Sequence, residues 1–391
     1  MNRFASAYKV LIVLGTRPEC LKLSSVYHAL KERPDCVPIV MNSGQHQVTV
    51  DRMLLLLGIR CDIQTKQITS ASLLGSVNEL TSRIRLTTQR VIPDILVCQG
   101  DTTTAYATAL AARDLGIPLG HVEAGLRTNH PRKPFPEEHF RRKISRIASL
   151  HFAPTQSAAS NLQHEGIALS HIIRSGNTII DLLRAEMEKA QPASVISLSA
   201  ESRVITFTLH RRENQGQGIQ QASCALKKLI DTHENLFAVC PLPSNPLTRS
   251  QLEYQLSGHP RIHLSESIDY PQFITLLGRS SLVITDSGGI QEEAPHLGTP
   301  LLIVRQNTER VEEAALGYAT LVNATENEIY QEAKSILSRP RPNPLPFTDA
   351  APNGKGDAGS CIANHLVNLM RTTPSVVNRY RKENCANEIV M

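Results

Sequence analysis

Hydrophobic residues in this chain fall into short unbroken runs, separated by longer stretches where they recur every three or four positions. That alternation is expected of parallel β-α units with buried strands. Tyr8 to Leu14 is the first such run, Gly15 to Pro18 make a turn, and from Pro18 onward Leu21, Val26 and Leu30 share one side of a helix. Runs at 37–41, 95–97, 119–122 and 150–153 predict further buried strands. Helices are expected over about 49–57, 73–91, 104–115 and 157–164, with another running from the 134–138 loop to about 148. Ser175-Gly176-Asn177-Thr178 breaks the series, a helix follows to about Ala190, and the Ser- and Ala-rich stretch 192–202 reads as hinge and linker.

A second series opens with a strand at 204–209 and a helix at 219–233, then continues through strands at 236–239, 262–264, 282–285 and 301–304. The stretch 340–359 is dense in Pro, Gly and Asn, and 362–370 is apolar at helical spacing, as a terminal helix crossing back to the first domain would be. The predicted fold class is α/β: two Rossmann-like, doubly wound parallel-sheet domains, residues 1–178 and 179–359, facing each other across a cleft. A C-terminal helix at about 360–391 completes the first domain.

Open parallel sheets bind ligands beyond the carboxyl ends of their strands, which singles out a few loops. After the strand Leu282 to Thr285, Ser287, Gly288 and Gly289 form a turn, and Ile290, Ala294 and Leu297 continue as a helix until Gly298 and Pro300 stop it. Free N–H groups and the positive helix end there suit a phosphate or diphosphate, and Glu292 or Glu293 could hold a sugar diol such as a ribose. An ordinary helix cap with a solvated acidic face would leave the same trace. Arg17 and Lys22 sit at the functional end of the first unit or are plain surface cations, and the loop Ser43 to His46 is placed to touch a ligand. Asp101 lies just past a strand end, where it either caps the following helix or does chemistry; Glu123 occupies the same relative place one strand later. Glu137 follows in a loop stiffened by Pro131, Pro134 and Pro136, so a carboxylate cluster is expected at one sheet edge. His210 ends the first strand of the second series.

The chain's 391 residues, 41% of them hydrophobic, suffice for two cores. A net charge of +5, no Trp and 4% aromatics exclude a basic stacking groove for nucleic acid and fit a surface for anionic small molecules. Eight scattered cysteines without a C-x-x-C pair read as reduced core thiols. No apolar run approaches a signal or membrane span, so a soluble cytoplasmic protein is expected. Gly216-Gln217-Gly218 lacks the third glycine and the downstream acid of a dinucleotide site, and no metal or other cofactor is expected.

Seven motifs occur in order: Gly15-Thr16-Arg17-Pro18-Glu19, Gly100-Asp101-Thr102-Thr103-Thr104, His121 to Arg127, Pro136-Glu137-Glu138, Gly176-Asn177-Thr178, His210-Arg211-Arg212-Glu213 and Asp286 to Pro295. Together they resemble the UDP-N-acetylglucosamine 2-epimerases over nearly the whole chain. The resemblance implies a GT-B-like fold, a homodimer, and interconversion of UDP-GlcNAc and UDP-ManNAc. It further implies that Arg17, Ser287, Gly288, Gly289 and Arg310 meet the diphosphate with His210 close by, that Glu293 holds the ribose, and that Asp101, Glu123 and Glu137 are catalytic, with Lys22 in the cleft. In bacterial members a second UDP-GlcNAc can bind as an activator, to which Gln45, His46 and Arg83 would correspond. This chain departs from the family at Pro243, where a His is frequent, at Val311, where a Pro is usual, and at Val48, where a polar residue is usual.

Chemistry supports that activity separately. The sugar C2 proton has no adjacent carbonyl to acidify it, so inversion requires transient oxidation or elimination of the nucleotide diphosphate across C1 and C2. Elimination needs a carboxylate base at C2 and donors for the departing diphosphate, which these residues supply. A second, protonated carboxylate would deliver the returning proton, its pKa raised by clustering of like charges. Which of Asp101, Glu123 and Glu137 does which is open at this level. So are the hydrolysing variant that releases ManNAc and UDP, an epimerase of a modified UDP-sugar, and a glycosyltransferase on the same fold.

Overall fold

The computed structural model describes residues 7–128, 130, 134–189, 201–266, 268–306, 308, 310, 312 and 315–372. Most of the linker expected at 192–202, Pro131, Val311 and the end of the terminal helix beyond residue 372 lie outside these. The chain divides into two compact units, Met1–Leu182 with Pro352–Met391, and Leu183–Ala351.

In the first unit seven parallel strands, β1 Tyr8–Leu14, β2 Cys36–Asn42, β3 Ile63–Gln64, β4 Ile95–Gln99, β5 Leu119–Val122, β6 Leu150–Ala153 and β7 Ile172–Arg174, lie in the order β3-β2-β1-β4-β5-β6-β7. The helices are α1 Arg17–Lys31, α2 Gln47–Leu56, α3 Leu73–Val91, α4 Thr103–Leu115, α5 Glu137–Ser145, α6 Gln156–His164 and α7 Thr178–Met187. The order reverses between β1 and β4, so the turns after these two strands flank the crevice of the sheet. The inner strands are mostly apolar and buried because helices cover both faces.

Small side chains let α4 lie close to the sheet: Ala105, Ala107, Ala109 and Ala111 are fully buried. The helix Ala358–Thr372 packs on α1, and Ile362, Leu366 and Val367, all fully buried, join the core under β1 and β4. Burying each such side chain stabilises by about 1.5–3 kcal/mol, enough to tie the returning segment to this unit.

The second unit has six parallel strands, β8 Arg203–Thr208, β9 Leu236–Pro241, β10 Ile262–Ser265, β11 Ser280–Thr285, β12 Leu301–Val304 and β13 Ala319–Val322, in the order β10-β9-β8-β11-β12-β13. Its helices include α8 Gln217–Thr232, α9 Pro246–Leu256, α10 Tyr270–Arg279 and α11 Gly288–Glu293. The reversal here falls between β8 and β11. Their ends carry His210 and Ser287.

Three expectations need correction. The helix after the Gly288 turn is not uniform: α11 tightens at Ala294–Leu297 into a 3-10 turn, because Pro295 has no N–H to give the carbonyl four residues back. The short edge strands β3, β7 and β13 were not anticipated, since two to four half-buried residues leave little apolar signal. Cysteines are not all core groups: Cys61, Cys224 and Cys361 are partly exposed, although all seven described cysteines are free. Among the described residues no helix is long and apolar enough to cross a membrane.

Candidate active site

The turn after β1 is organised by a buried acid. Thr16 stands at the cap position of α1 without a side-chain cap bond, Pro18 stands in the first turn, and Glu19 at the third helical position is completely buried. One oxygen of Glu19 accepts from the Gly15 N–H and the Thr16 hydroxyl, both at 2.9 Å, and the other from the Thr102 hydroxyl at 2.6 Å. Burial pushes the Glu19 pKa up to about 7 against these hydrogen bonds. In the unfolded chain the proton leaves near pH 4.5, so the stabilising contribution of this carboxyl is complete below that pH and drains away as pH rises to about 7. Glu19→Gln is expected to abolish this slope, on the order of 3 kcal/mol across the window, in urea unfolding series from about pH 4.5 to about pH 8. Parallel pH series for the two proteins would contradict it.

Asp101 follows Gly100 at the end of β4 and does not cap α4; Thr102 does, accepting from the Ala105 N–H at 2.9 Å. Asp101 is instead paired with Arg141 of α5 at 2.6 Å. Arg141 also meets the fully buried Glu138 at 3.3 Å, so the cation is held from two sides. Glu123, just past β5, pairs with Lys22 of α1 at 2.5 Å, and both side chains are over 90% buried. Its second oxygen accepts from the Gln99 amide. Glu123 has φ 62°, a left-handed backbone that costs a residue with a side chain on the order of 1–3 kcal/mol. Strain of that kind persists where the surroundings hold a side chain in one place.

A Cβ on Gly100 would lie 3.6 Å from Glu123 Oε2, so the ends of β4 and β5 adjoin. His121 braces this corner: its Nε2 lies 2.8 Å from the Gly100 carbonyl, and burial lowers its pKa to about 4, leaving the ring neutral. Glu137 opens α5, and its Oε2 is buried without a hydrogen-bond partner among the described residues. Asp101 and Glu123 thus emerge at adjoining strand ends, each facing a cation, and Glu137 opens the helix that brings Arg141 to Asp101.

In the second unit the organising group is Asp286, fully buried immediately after β11. It accepts from the backbone N–H groups of His210 and Arg211 at 3.0 Å and from the Asn214 amide at 2.9 Å, and it faces His210 Nδ1 at 3.2 Å. Desolvation lowers the His210 pKa and Asp286 opposes it, with 48% of the side chain still open to solvent. Ser287 precedes α11 and donates its N–H to Thr285 Oγ1 at 2.9 Å.

A Cβ on Gly288 would stand 2.7 Å from Arg310 Nη1, so the glycine lets the guanidinium lie against the start of α11. Arg310 is steadied by Glu292 at 2.8 Å, and Gly289 lies partly exposed beside it in the chain. Glu293, nearly buried, accepts from the Tyr270 hydroxyl at 2.7 Å, and burial together with that carboxylate keeps the Tyr270 pKa well above its ordinary value.

Arg17 is partly exposed at the start of α1. Gln45 is engaged by Thr104, whose N–H and hydroxyl donate to its side-chain oxygen at 3.0 and 2.8 Å. His46 donates its N–H to the Gly15 carbonyl, and its ring pKa is lowered by burial. Arg83 of α3 pairs with Glu79 and donates to the Lys66 carbonyl, while Gln67 donates to the Gln45 carbonyl at 2.7 Å. The segment 66–67 therefore links Arg83 to the Gln45 loop.

Sequence reasoning had not assigned roles to Glu19, Asp286, Tyr270 or Arg141. Asp286 carried the same signal as Asp101 and Glu123, an acid one or two positions past a buried strand. Arg141 and Tyr270 had none, because their partners are defined only by folding.

The chain matches the protein family described as UDP-N-acetylglucosamine 2-epimerase over residues 28–367. It is 35% identical over 361 residues to a UDP-N-acetylglucosamine 2-epimerase of Bacillus subtilis, covering 92% of this chain and 95% of that protein. A solved Neisseria meningitidis UDP-GlcNAc 2-epimerase bound to UDP-GlcNAc is similar with a TM-score of 0.83 and 34% identity, covering 92% of this chain and 100% of that one. A UDP co-structure of S. aureus MnaA is similar with a TM-score of 0.84 and 32% identity, over 93% and 97% of the two chains.

Proposed function

The chain belongs to the UDP-N-acetylglucosamine 2-epimerase family, and from that premise we propose that it inverts C2 of UDP-GlcNAc to give UDP-ManNAc by eliminating and re-adding UDP. The observation that carries the chemistry is Glu123, a strained and nearly buried carboxylate clamped by Lys22 and Gln99 at the edge where Asp101 and Glu137 also emerge.

One carboxylate of this trio takes the C2 proton while the C1–O bond to the diphosphate breaks, leaving a C1=C2 alkene and free UDP. A second carboxyl then delivers a proton to the opposite face of C2, and a UDP oxygen re-attacks C1. Protons and electrons balance within the cycle, so no redox partner is consumed. The charge that develops on the departing β-phosphate is met by Arg17, Arg310, His210, the Ser287 hydroxyl and the backbone of Gly288 and Gly289. Asp286 holds His210 in place for this, and Glu293, oriented by Tyr270, takes the ribose.

The same reading makes the enzyme a cytoplasmic homodimer. It gives Gln45, His46 and Arg83 to a second, activating UDP-GlcNAc, with Val48 an 80% exposed apolar neighbour where relatives present a polar group.

Incubation with UDP-GlcNAc in deuterium oxide tests the proposal. The expected product is a pair of UDP-sugars labelled at C2, read by NMR and mass spectrometry without any acceptor. Free ManNAc with UDP would convert the reading to the hydrolysing reaction. Absence of both turnover and C2 exchange would reject it.

A further inference from the structure

Glu19 does not behave as an ordinary acid at a helix start. In a capping box the acid turns back to the backbone N–H of its own cap residue. Here the backbone of Thr16 also bonds the carboxyl, but that is only part of its work: one oxygen further serves the Gly15 N–H and the Thr16 hydroxyl, and the other leaves the helix for Thr102, 83 positions away in the chain. The Thr102 hydroxyl is committed at both ends, accepting from Ala105 and donating to Glu19.

The two turns joined in this way stand at the switch point of the first sheet, one leading into Arg17 and the other containing Asp101. No cation pairs with Glu19 among the described residues. The titratable groups facing it are the thiols of Cys20 on α1 and Cys98 on β4, both raised by burial first and by the charge of Glu19 second. Sinking a carboxylate with no cation is a costly way to start a helix. A cap would not require the long second arm.

We propose that Glu19 is a positioning residue, fixing the turn that leads into Arg17 against the turn that carries Asp101. The diphosphate contact and a catalytic carboxylate then keep one spacing throughout the reaction. This rests on the functional reading above. Loss of the link lets the two turns drift independently, which harms a step that needs both groups at once. Nucleotide held by the Ser287 to Arg310 region is little affected.

The test uses the full-length enzyme and the variants Glu19→Gln, Thr102→Val, Thr102→Ser and Glu19→Gln/Thr102→Val, each checked for cooperative thermal unfolding. The expected result is a fall in kcat for C2 exchange of about 10²-fold in Glu19→Gln and Thr102→Val, with KM and the UDP dissociation constant changed less than about threefold. Thr102→Ser, which keeps the hydroxyl, retains most of the turnover. The double variant is no worse than either single one, because both break the same link.

Near-normal kcat in a folded Glu19→Gln, or losses that multiply in the double variant, would overturn the role of Glu19 alone. If Glu19→Gln does not fold, the contrast between Thr102→Val and Thr102→Ser decides: equal turnover in the two rejects the proposal. A wild-type enzyme without C2 exchange would instead overturn the functional reading on which it stands.

Discussion

Asp101→Asn and Glu123→Gln should each lower kcat for C2 exchange by about 10²–10⁴-fold while UDP still binds, the loss expected when a general acid or base is removed without changing its shape. Asp101→Asn is the cleaner of the two. Arg141, its partner at 2.6 Å, also meets Glu138 and so is not abandoned when the Asp101 charge goes. Folding and nucleotide affinity should therefore stay near wild type. Titration with UDP, alongside exchange kinetics in deuterium oxide, separates the outcomes. A matching loss of UDP affinity would mean that the residue binds and does not catalyse, and near-normal exchange would remove it from the chemistry.

Lys22→Met should destabilise the protein by about 3–5 kcal/mol, the usual cost of leaving one member of a buried ion pair behind. Glu123 has 8% of its side chain exposed and also accepts from the Gln99 amide, which carries no charge to replace the ammonium. The strained backbone at Glu123 adds to the cost, because the clamp that holds it is weakened. Replacing Glu123 by Gln in the same protein removes the charge that Lys22 offset, so the double variant Lys22→Met/Glu123→Gln should recover most of the stability and none of the turnover. Urea unfolding measures the first quantity and C2 exchange the second. A double variant as unstable as Lys22→Met would show that the ammonium packs for some reason other than pairing.

Much of the first unit was legible because its strands are buried on both faces. Tyr8–Leu14, Leu119–Val122, Leu150–Ala153 and the helix Leu73–Val91 have the bounds read from hydrophobic pattern alone. The placement of Asp101 and Glu123 was legible for the same reason, since an acid one or two positions beyond a buried strand must emerge at the sheet edge. Other features escaped the pattern. Asp101 was weighed as a cap, yet Thr102 takes that position, and choosing between neighbouring polar residues depends on side-chain geometry that a sequence does not contain. Arg141 reaches Asp101 from α5 and Lys22 reaches Glu123 from α1, and neither arrival can be foreseen from local spacing.

The amino-acid sequence by itself determined the element types, the parallel α/β class and the family motifs, because burial on two faces forces continuous apolar runs and motif residues lie close together along the chain. Tertiary structure alone decided which strands are neighbours and which charges meet. β1 pairs with β4, and β8 with β11, across long intervening stretches. Those pairings put Glu19 within reach of Thr102 and Asp286 within reach of His210. Such contacts depend on the relative placement of whole β-α units, a non-local property of the packed core that no window of sequence records.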